Sequence, residues 1–318
     1  MDKCKICGNE ADNRRHLARE MMFGLRDQFT YLECSKCGCL QLMDVPADLS
    51  KYYPEGYYSL HKNNWLKIFL RHQWAAYAYN GWNPLGWLVT KRFFRYGEMY
   101  AIRRAQIAKS ARILDVGGGT GQLILDMRHL GFLHLTGADP YITGDITYPN
   151  GVRVFKRSVG ELEGEFDVIM LHHSFEHMNA PDEVMKHLSR LLATDGLILI
   201  RIPIAGSDAW RRYGVNWVHL DAPRHLFIHT PKTIELLAGK AGLSLDAVIY
   251  EGDESQFWGS EQYLKDIPLL DPRSYAKTRS AVTREKMREY SAKADENNRK
   301  KLADLACFHL HKSSRKGA

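Results

Sequence analysis

Six cysteines occur in the chain, and four of them form two pairs with the same local pattern. Residues 4–8 and 34–38 both read Cys-x-x-Cys-Gly, and 26 residues separate the pairs. Two such turns brought face to face provide the four sulfur ligands of a structural zinc site. A redox motif would use one pair, and nothing indicates an oxidising compartment for disulfides. The pattern predicts structural zinc held by Cys4, Cys7, Cys34 and Cys37.

A glycine-rich turn follows an apolar segment in the middle of the chain. Residues 112–116 (Arg-Ile-Leu-Asp-Val) are typical of a buried strand, 117–121 read Gly-Gly-Gly-Thr-Gly, and a helix is expected from Gln122. Glycines at such a turn let the backbone approach a ligand closely. The dinucleotide pattern requires Gly or Ala where Gln122 stands, so the turn does not favour a nicotinamide cofactor.

Histidines cluster in the second half of the chain, and histidine is the usual general base near neutral pH. Residues 173–177 also match H-x-x-E-H, which on a helix can mark a zinc hydrolase. Here the motif follows a predicted strand and the next helix starts only near Pro181, so we do not expect a hydrolase. The candidates are His172, His173, His177, His219, His225 and His229.

Alternating strands and helices must position these groups. The pattern predicts a doubly wound, mostly parallel α/β sheet from residue 111 onwards. Three parts are expected: a zinc ribbon at 1–45, an aromatic and basic helical segment at 46–110, and a catalytic domain at 111–318 with a basic helical insertion near 271–303. The predicted strands after the glycine turn are 133–138, 152–155, 166–171, 197–202, 245–250 and 305–311.

The acidic residue ahead of three alternating glycines, Asp115-x-Gly117-x-Gly119-x-Gly121, resembles the first motif of the class I methyltransferases. The resemblance covers about residues 111–251 and implies an antiparallel last strand, a Rossmann-like fold and S-adenosylmethionine as cofactor. It implies that Asp139 binds the ribose hydroxyls and that residues 158–162 line the adenine. The cofactor residues implied are Asp115, Gly117, Gly119, Gly121, Asp139, Val159 and His172.

Residues 217–227 resemble a W-x-x-L-D-x-P-x-H-L segment common in methyltransferases that act on small molecules and glycans. We therefore expect the base to be His225, with His173 second, and Glu176 and His177 beside them. The alternative is that these histidines only hydrogen-bond loops and that proximity suffices for methyl transfer.

The charge distribution does not decide which class of molecule accepts the methyl group. Residues 61–110 carry nine Lys and Arg against one acidic residue, and residues 271–318 carry thirteen against six. These segments are either solvated helix faces or surfaces for an anionic partner: a phosphate-bearing substrate, a membrane surface or nucleic acid. The catalytic domain between them is net acidic and lacks the Asn/Asp-Pro-Pro-aromatic motif of base-amine methyltransferases, which makes nucleic acid the weaker choice.

The sequence thus predicts methylation of a small molecule or glycan, and more specifically O-methylation, or else C-methylation, of a sugar in a polysaccharide or natural-product pathway. An RNA or protein methyltransferase and a non-catalytic cofactor-binding protein are the alternatives. The segment 46–110 is expected to pack on the catalytic domain, to act as a lid or to contact a membrane peripherally. Without a signal peptide or an apolar run of 18 residues, a cytoplasmic location is expected.

Overall fold

The computed structural model describes residues 2–53, 65–93 and 97–313, and they form two β-sheets with helices around them. The smaller sheet has four antiparallel strands in the order β1-β2-β3-β10. Its first three strands come from the N-terminal segment and its last from the middle of the catalytic domain. The bounds are β1 Arg14–Arg19, β2 Gln28–Glu33, β3 Leu40–Leu42 and β10 Phe227–Ile228.

The larger sheet has eight strands in the order β11-β12-β9-β8-β4-β5-β7-β6. Its four inner pairings, from β9 through β8, β4 and β5 to β7, are parallel, and β12 lies antiparallel between β9 and β11. The strands are β4 Arg112–Val116, β5 His134–Ala138, β6 Ile146–Thr147, β7 Arg153–Phe155, β8 Phe166–His172, β9 Leu192–Pro203, β11 Leu243–Tyr250 and β12 Leu305–Lys312.

Nine α-helices lie in the part of the chain that the structure describes. They are α1 Trp65–Asn80, α2 Pro84–Phe93, α3 Glu98–Arg104, α4 Gln122–His129, α5 Pro181–Leu191, α6 Asp208–Tyr213, α7 Pro231–Lys240, α8 Ser255–Leu264 and α9 Arg284–Arg299. None of these helices combines the length and the apolar character needed to cross a bilayer.

The predicted fold class is confirmed. Each strand expected after the glycine turn is present, and the parallel centre with an antiparallel last strand is the arrangement that the sequence pattern predicts. Parallel strands end at a common edge, where residues that follow β4, β5 and β8 come together. This edge carries the candidate site.

The N-terminal segment packs directly on the catalytic domain. Strand β10 pairs antiparallel with β3, and the Leu42 N–H donates to the carbonyl of Leu226 at 2.8 Å. One continuous apolar cluster contains Cys4 and Ile6 near the N-terminus together with Leu114 of the central sheet. The ribbon sheet and the catalytic sheet are therefore buried against one shared core.

The helical segment is present over α1 to α3, where α1 contacts α2, α3 and α4. Trp74, Met99 and Ile102 are buried in a second apolar cluster that includes residues of the central sheet. This packing supports a helical subdomain that rests on the catalytic domain. Other aromatic residues of the predicted segment, Tyr57 and Tyr58, lie outside the described residues.

Candidate functional site

The four predicted zinc ligands converge. The Sγ atoms of Cys4 and Cys37 are 3.6 Å apart and those of Cys7 and Cys34 are 3.5 Å apart, and all four lie within 4.8 Å of one another. In both turns the glycine N–H donates to the carbonyl of the first cysteine, at 2.9 Å for Gly8 and 2.8 Å for Gly38. Two matching turns with four thiols fit a closed, structural zinc centre. Cys39 is buried beside the second turn, where its carbonyl accepts from the Cys34 N–H at 2.9 Å, and Cys307 is buried in β12.

The ribbon holds the loop that carries the expected base. The Tyr31 hydroxyl donates to the carbonyl of His225 at 2.7 Å, and the Thr230 hydroxyl donates to the carbonyl of Cys37 at 2.8 Å. Arg224 is fully buried and pairs with Asp221 beside it and with Glu20 of the ribbon, at 3.2 Å. Because a buried charge without its partner is costly, these contacts fix residues 221–230 on the ribbon.

The glycine turn needs glycine for conformation and for space. Gly117 has φ of 77°, and a Cβ there would lie 2.5 Å from the Cβ of Ser174. Gly121 has φ of 84°, and a Cβ there would lie 2.7 Å from Val154. Ser174 also donates to the carbonyl of Val116 at 2.8 Å. The end of β4 therefore lies against the end of β8 with room only for hydrogen at the turn.

Asp115 lies beneath this turn with one polar atom unsatisfied. The side chain is 2% exposed, and its Oδ2 is buried without a hydrogen-bond partner. Burial, with nearby Glu98 and Asp139, raises the pKa of the Asp115 carboxyl to about 7. A buried acceptor left open below a glycine turn fits a site that binds a group with donors or positive charge, such as the ammonium of S-adenosylmethionine.

Asp139 is at the predicted position, directly after β5. Its Oδ2 accepts from the Gly119 N–H at 2.9 Å and its Oδ1 accepts from the Tyr141 N–H at 2.8 Å. These bonds fix the carboxylate plane and leave lone pairs on both oxygens. The residue is buried and borders a cavity at this edge of the sheet, so its oxygens are placed to accept from two neighbouring hydroxyls.

A cavity of about 670 Å³ opens at this edge of the sheet. One group of lining residues follows the strands β4, β5 and β7: Gly117, Asp139, Tyr141, Ser158 and Val159. A second group comes from the chain leaving the ribbon and from the loops after β8 and before β10: Val45, Pro46, Ala47, Asp48, Leu49, Ser50, Tyr53, His173, His177, Arg224 and Leu226. The volume is in the range of small-molecule sites.

The predicted site residues divide between the cavity wall and the layer behind it. Five of them line the cavity: Gly117, Asp139, Val159, His173 and His177. Six do not: Asp115, Gly119, Gly121, His172, Glu176 and His225. The sequence prediction missed the wall formed by residues 45–50, which carries no motif of its own. It also missed Arg201 and Arg224, which are single charged residues within apolar segments.

His173 is ill suited to be a base, although it lines the cavity. Its Nε2 accepts a hydrogen bond from the Arg201 guanidinium at 2.6 Å. A guanidinium keeps its protons, so this nitrogen is occupied as an acceptor and Nδ1 carries the ring hydrogen. Nδ1 faces Glu176 Oε1 at 3.5 Å. His173 also has φ of 51°, the left-handed region, so the backbone is turned to make these contacts.

His177 is oriented as a base requires. Its Nδ1 lies 2.8 Å from the carbonyl oxygen of Arg224, which can only accept, so Nδ1 carries the hydrogen and Nε2 keeps its lone pair. The Tyr53 hydroxyl is 3.3 Å from the same Nδ1. The ring borders the cavity and makes an edge-to-face contact with His225, with the ring centroids 4.8 Å apart.

His225, the expected base, lies one layer behind His177. Only 7% of the residue is exposed, and its Nδ1 donates to the carbonyl of His219 at 2.9 Å. Burial and the neighbouring His177 lower the pKa of His225 to about 4, so its ring is neutral near neutral pH. Its role as base stays a prediction, and the geometry favours His177 over it.

Glu176 shares this inner layer. Its side chain is fully buried, and burial disfavours its charge. Contact with His173 and the charge that His177 and His225 carry when protonated nevertheless lower the pKa of this carboxyl to about 2. The residue is therefore a carboxylate enclosed by imidazoles.

His172 points into the protein and not toward the cavity. Both ring nitrogens are buried without hydrogen-bond partners among the described residues, and burial lowers the pKa of His172 to about 3. Arg201, which is 4% exposed, bonds Glu251 at 2.5 Å in the same region. His172 thus belongs to the supporting layer below the site, and direct cofactor contact by His172 stays a prediction.

Replacing Asp139 by alanine is expected to weaken binding of S-adenosylhomocysteine at least tenfold. Two hydrogen bonds to a charged acceptor contribute about 1.5–3 kcal/mol each, and both would be lost. Calorimetry measures the affinity, and the melting temperature shows whether the turn that Asp139 also holds is intact. Tyr141→Phe, a neighbouring cavity residue, serves as the matched control. An Asp139→Ala variant that folds and binds like the wild type would place the ribose elsewhere.

The family comparison agrees with the geometry. Residues 92–248, which are 157 of the 318 and just under half, match the family model described as a methyltransferase domain. No curated protein matches the sequence significantly. Two similar solved structures, each 14% identical with a TM-score of 0.43, are residues 961–1257 of StiE O-MT and the Burkholderia thailandensis 1,6-didemethyltoxoflavin-N1-methyltransferase with bound S-adenosylhomocysteine.

The first of these alignments covers 81% of this chain and 84% of the other, and the second covers 88% and 97%. The matched family segment contains the glycine turn, Asp139 and the strand end that carries His173 and His177. Residues 92–248 of this chain form a class I S-adenosylmethionine-dependent methyltransferase domain.

Proposed function

We propose that this enzyme methylates a hydroxyl oxygen of a small molecule or glycan, with His177 as the base. The observation that carries the proposal is the tautomer of His177: its Nδ1 hydrogen is committed to the Arg224 carbonyl, and its ring borders the cavity with the other nitrogen free to accept. A neutral imidazole in this state can accept the proton of a hydroxyl. An amine or thiolate acceptor has less need of such a base.

S-adenosylmethionine supplies a methyl group on a positively charged sulfur. Asp139 would hold the ribose, Val159 and Ser158 would border the adenine, and Gly117 would let the backbone approach. His177 would take the acceptor's proton as the acceptor oxygen bonds to the methyl carbon. The carbon–sulfur bond would break, with its electron pair left on S-adenosylhomocysteine. Positioning and exclusion of water supply most of the rate.

The acceptor would lie against the chain that leaves the ribbon. Residues 45–50 and Tyr53 form this wall, where Asp48 and Ser50 add polar groups to an otherwise apolar run. Arg157 also lines the cavity and carries a positive charge. A wall of mixed polar and apolar groups with one cation suits a sugar, including one that bears a phosphate.

Exposed apolar side chains on α1 and α2 support a peripheral membrane contact, and hence a lipid-linked acceptor. Trp82 in the turn between the two helices is 79% exposed, Leu88 is 59% exposed and Phe69 is 45% exposed. These residues lie in the segment with the highest excess of Lys and Arg. Apolar and aromatic groups next to basic ones are typical of surfaces that bind anionic membranes.

Labelled methyl transfer from S-adenosylmethionine tests the proposal. The purified full chain is incubated with soluble nucleotide sugars, with lipid-linked glycans in anionic vesicles, and separately with RNA and protein from the same extract. Mass spectrometry should locate the label on a sugar oxygen, with the vesicle arm the most active. Label on carbon, RNA or protein would overturn the O-methylation proposal, and binding of cofactor without any turnover would favour a non-catalytic protein.

A further inference from the structure

A second group of metal-ligand side chains lies beside the cavity, separate from the four cysteines. One oxygen of Glu176 and one ring nitrogen each of His177 and His225 lie within 4.8 Å of one another. Glu176 and His225 are buried, while His177 is half-buried on the cavity wall. Two imidazoles and one carboxylate are a ligand set that open zinc sites in enzymes use.

Glu176 is the unusual member of this group. The side chain is fully buried, and neither carboxylate oxygen has a hydrogen-bond partner among the described residues. The nearest polar atoms are ring nitrogens: His173 Nδ1 at 3.5 Å and His225 Nε2 at 3.9 Å from Oε1. Both distances exceed those of a normal hydrogen bond. A carboxylate that is buried with no donor at normal hydrogen-bond distance is stabilised by a cation nearby.

The two histidines are oriented as metal ligands usually are. His177 donates through Nδ1 to the carbonyl of Arg224, and His225 donates through Nδ1 to the carbonyl of His219. Each ring therefore keeps a lone pair on Nε2. For His225 that nitrogen faces two carboxylates, Glu176 at 3.9 Å and Asp221 at 3.8 Å. Backbone carbonyls that fix the opposite ring nitrogen are a common second layer around bound metals.

We propose that Glu176, His177 and His225 bind a divalent transition metal, with zinc the best fit. Bonds of about 2.0–2.2 Å require the three ligand atoms to approach roughly 3.4 Å of one another, which small side-chain rotations achieve. Because His177 borders the cavity, a fourth position on the metal would be open to water or an acceptor oxygen from that side. Imidazole and carboxylate together favour zinc over calcium or magnesium.

The metal would compete with catalysis. A metal ion bound to Nε2 of His177 uses the lone pair that accepts the proton in the proposed reaction, so loading of this site should inhibit turnover. This consequence rests on the proposed function, whereas metal binding itself does not. The ribbon zinc, fixed by four thiolates, would remain in place.

Cobalt titration of the zinc-loaded full chain tests the site. We expect a second metal per chain whose spectrum lacks the thiolate-to-cobalt charge-transfer band, and affinity at least tenfold lower in Glu176→Gln and in His225→Gln. His229→Gln is the matched control, since His229 is equally buried beside Glu176 but outside the cluster. Calorimetry with S-adenosylhomocysteine and retained ribbon zinc show that each variant is folded.

The outcomes separate the two proposals. Only one metal per chain in the wild type, or an unchanged second affinity in both folded variants, would overturn the metal site. Should one variant fail to fold, the other decides. A second metal that binds without slowing methyl transfer would leave the site standing and would count against His177 as the base.

Discussion

Turnover by His177→Gln is expected to be about 10²–10⁴-fold below that of the wild type, the usual cost of removing a general base. Glutamine keeps the size of the side chain and can still donate to the Arg224 carbonyl, so the loop that His177 contacts should stay in place. Cofactor affinity should change little, because Asp139 is held by the N–H groups of Gly119 and Tyr141 and not by this ring. Single-turnover measurement with saturating cofactor and acceptor gives the rate.

His225→Gln and His173→Gln are the matched comparisons for His177→Gln. His225 lies behind the cavity wall and the Nε2 of His173 is occupied by Arg201, so each should lower the melting temperature more than the turnover per folded molecule. If His177→Gln retains more than about a tenth of the wild-type rate, His177 is not the base. If His225→Gln loses the rate instead, the sequence-based prediction that His225 is the base would stand.

Loss of the ribbon metal is expected to remove activity along with stability. Metal binding to four cysteines provides on the order of 10 kcal/mol of folding free energy in small modules, and the ribbon core also holds residues 221–230. Cys34→Ser should therefore lose its zinc, lower the melting temperature and reduce turnover more than cofactor affinity. The contacts that would fail are those of Glu20 with Arg224 and of Tyr31 with His225, which hold the loop on the proposed acceptor side.

Cys39→Ala is the control for Cys34→Ser, because Cys39 is buried near the same turn but lies outside the four-sulfur cluster. It should keep the zinc content of the wild type by elemental analysis. Unchanged zinc in Cys34→Ser would remove that residue from the ligand set. Normal turnover in metal-free protein would show that the ribbon does not hold the loop at residues 221–230.

Much of the fold was predictable because it follows from local patterns. Apolar runs bounded by glycine and charged residues marked the strands, and the repeated Cys-x-x-Cys-Gly marked the ribbon, whose four sulfurs the structure brings together. The glycine turn could be predicted because its geometry leaves no room for side chains. At Gly117 a Cβ would clash with Ser174.

The role of each histidine was not predictable from the sequence, because it depends on contacts between residues far apart in the chain. His173 is occupied by Arg201, 28 positions away, and His177 is oriented by the carbonyl of Arg224, 47 positions away. No sequence pattern records which backbone oxygen meets which ring nitrogen. The sequence did not predict the cavity wall at residues 45–50 for the same reason. These residues line the cavity because of where the fold places them, and their types form no motif.

The two halves of the cavity come from different parts of the chain, and this affects how such an enzyme diverges. Under the proposed function, residues after β4, β5 and β7 would border the cofactor, while residues 45–50, which leave the ribbon, would border the acceptor. Mutations in the second group can accumulate without disturbing the bonds between Asp139 and the glycine turn. We therefore expect substitutions within this short connecting segment to change the acceptor while the methyl donor stays the same.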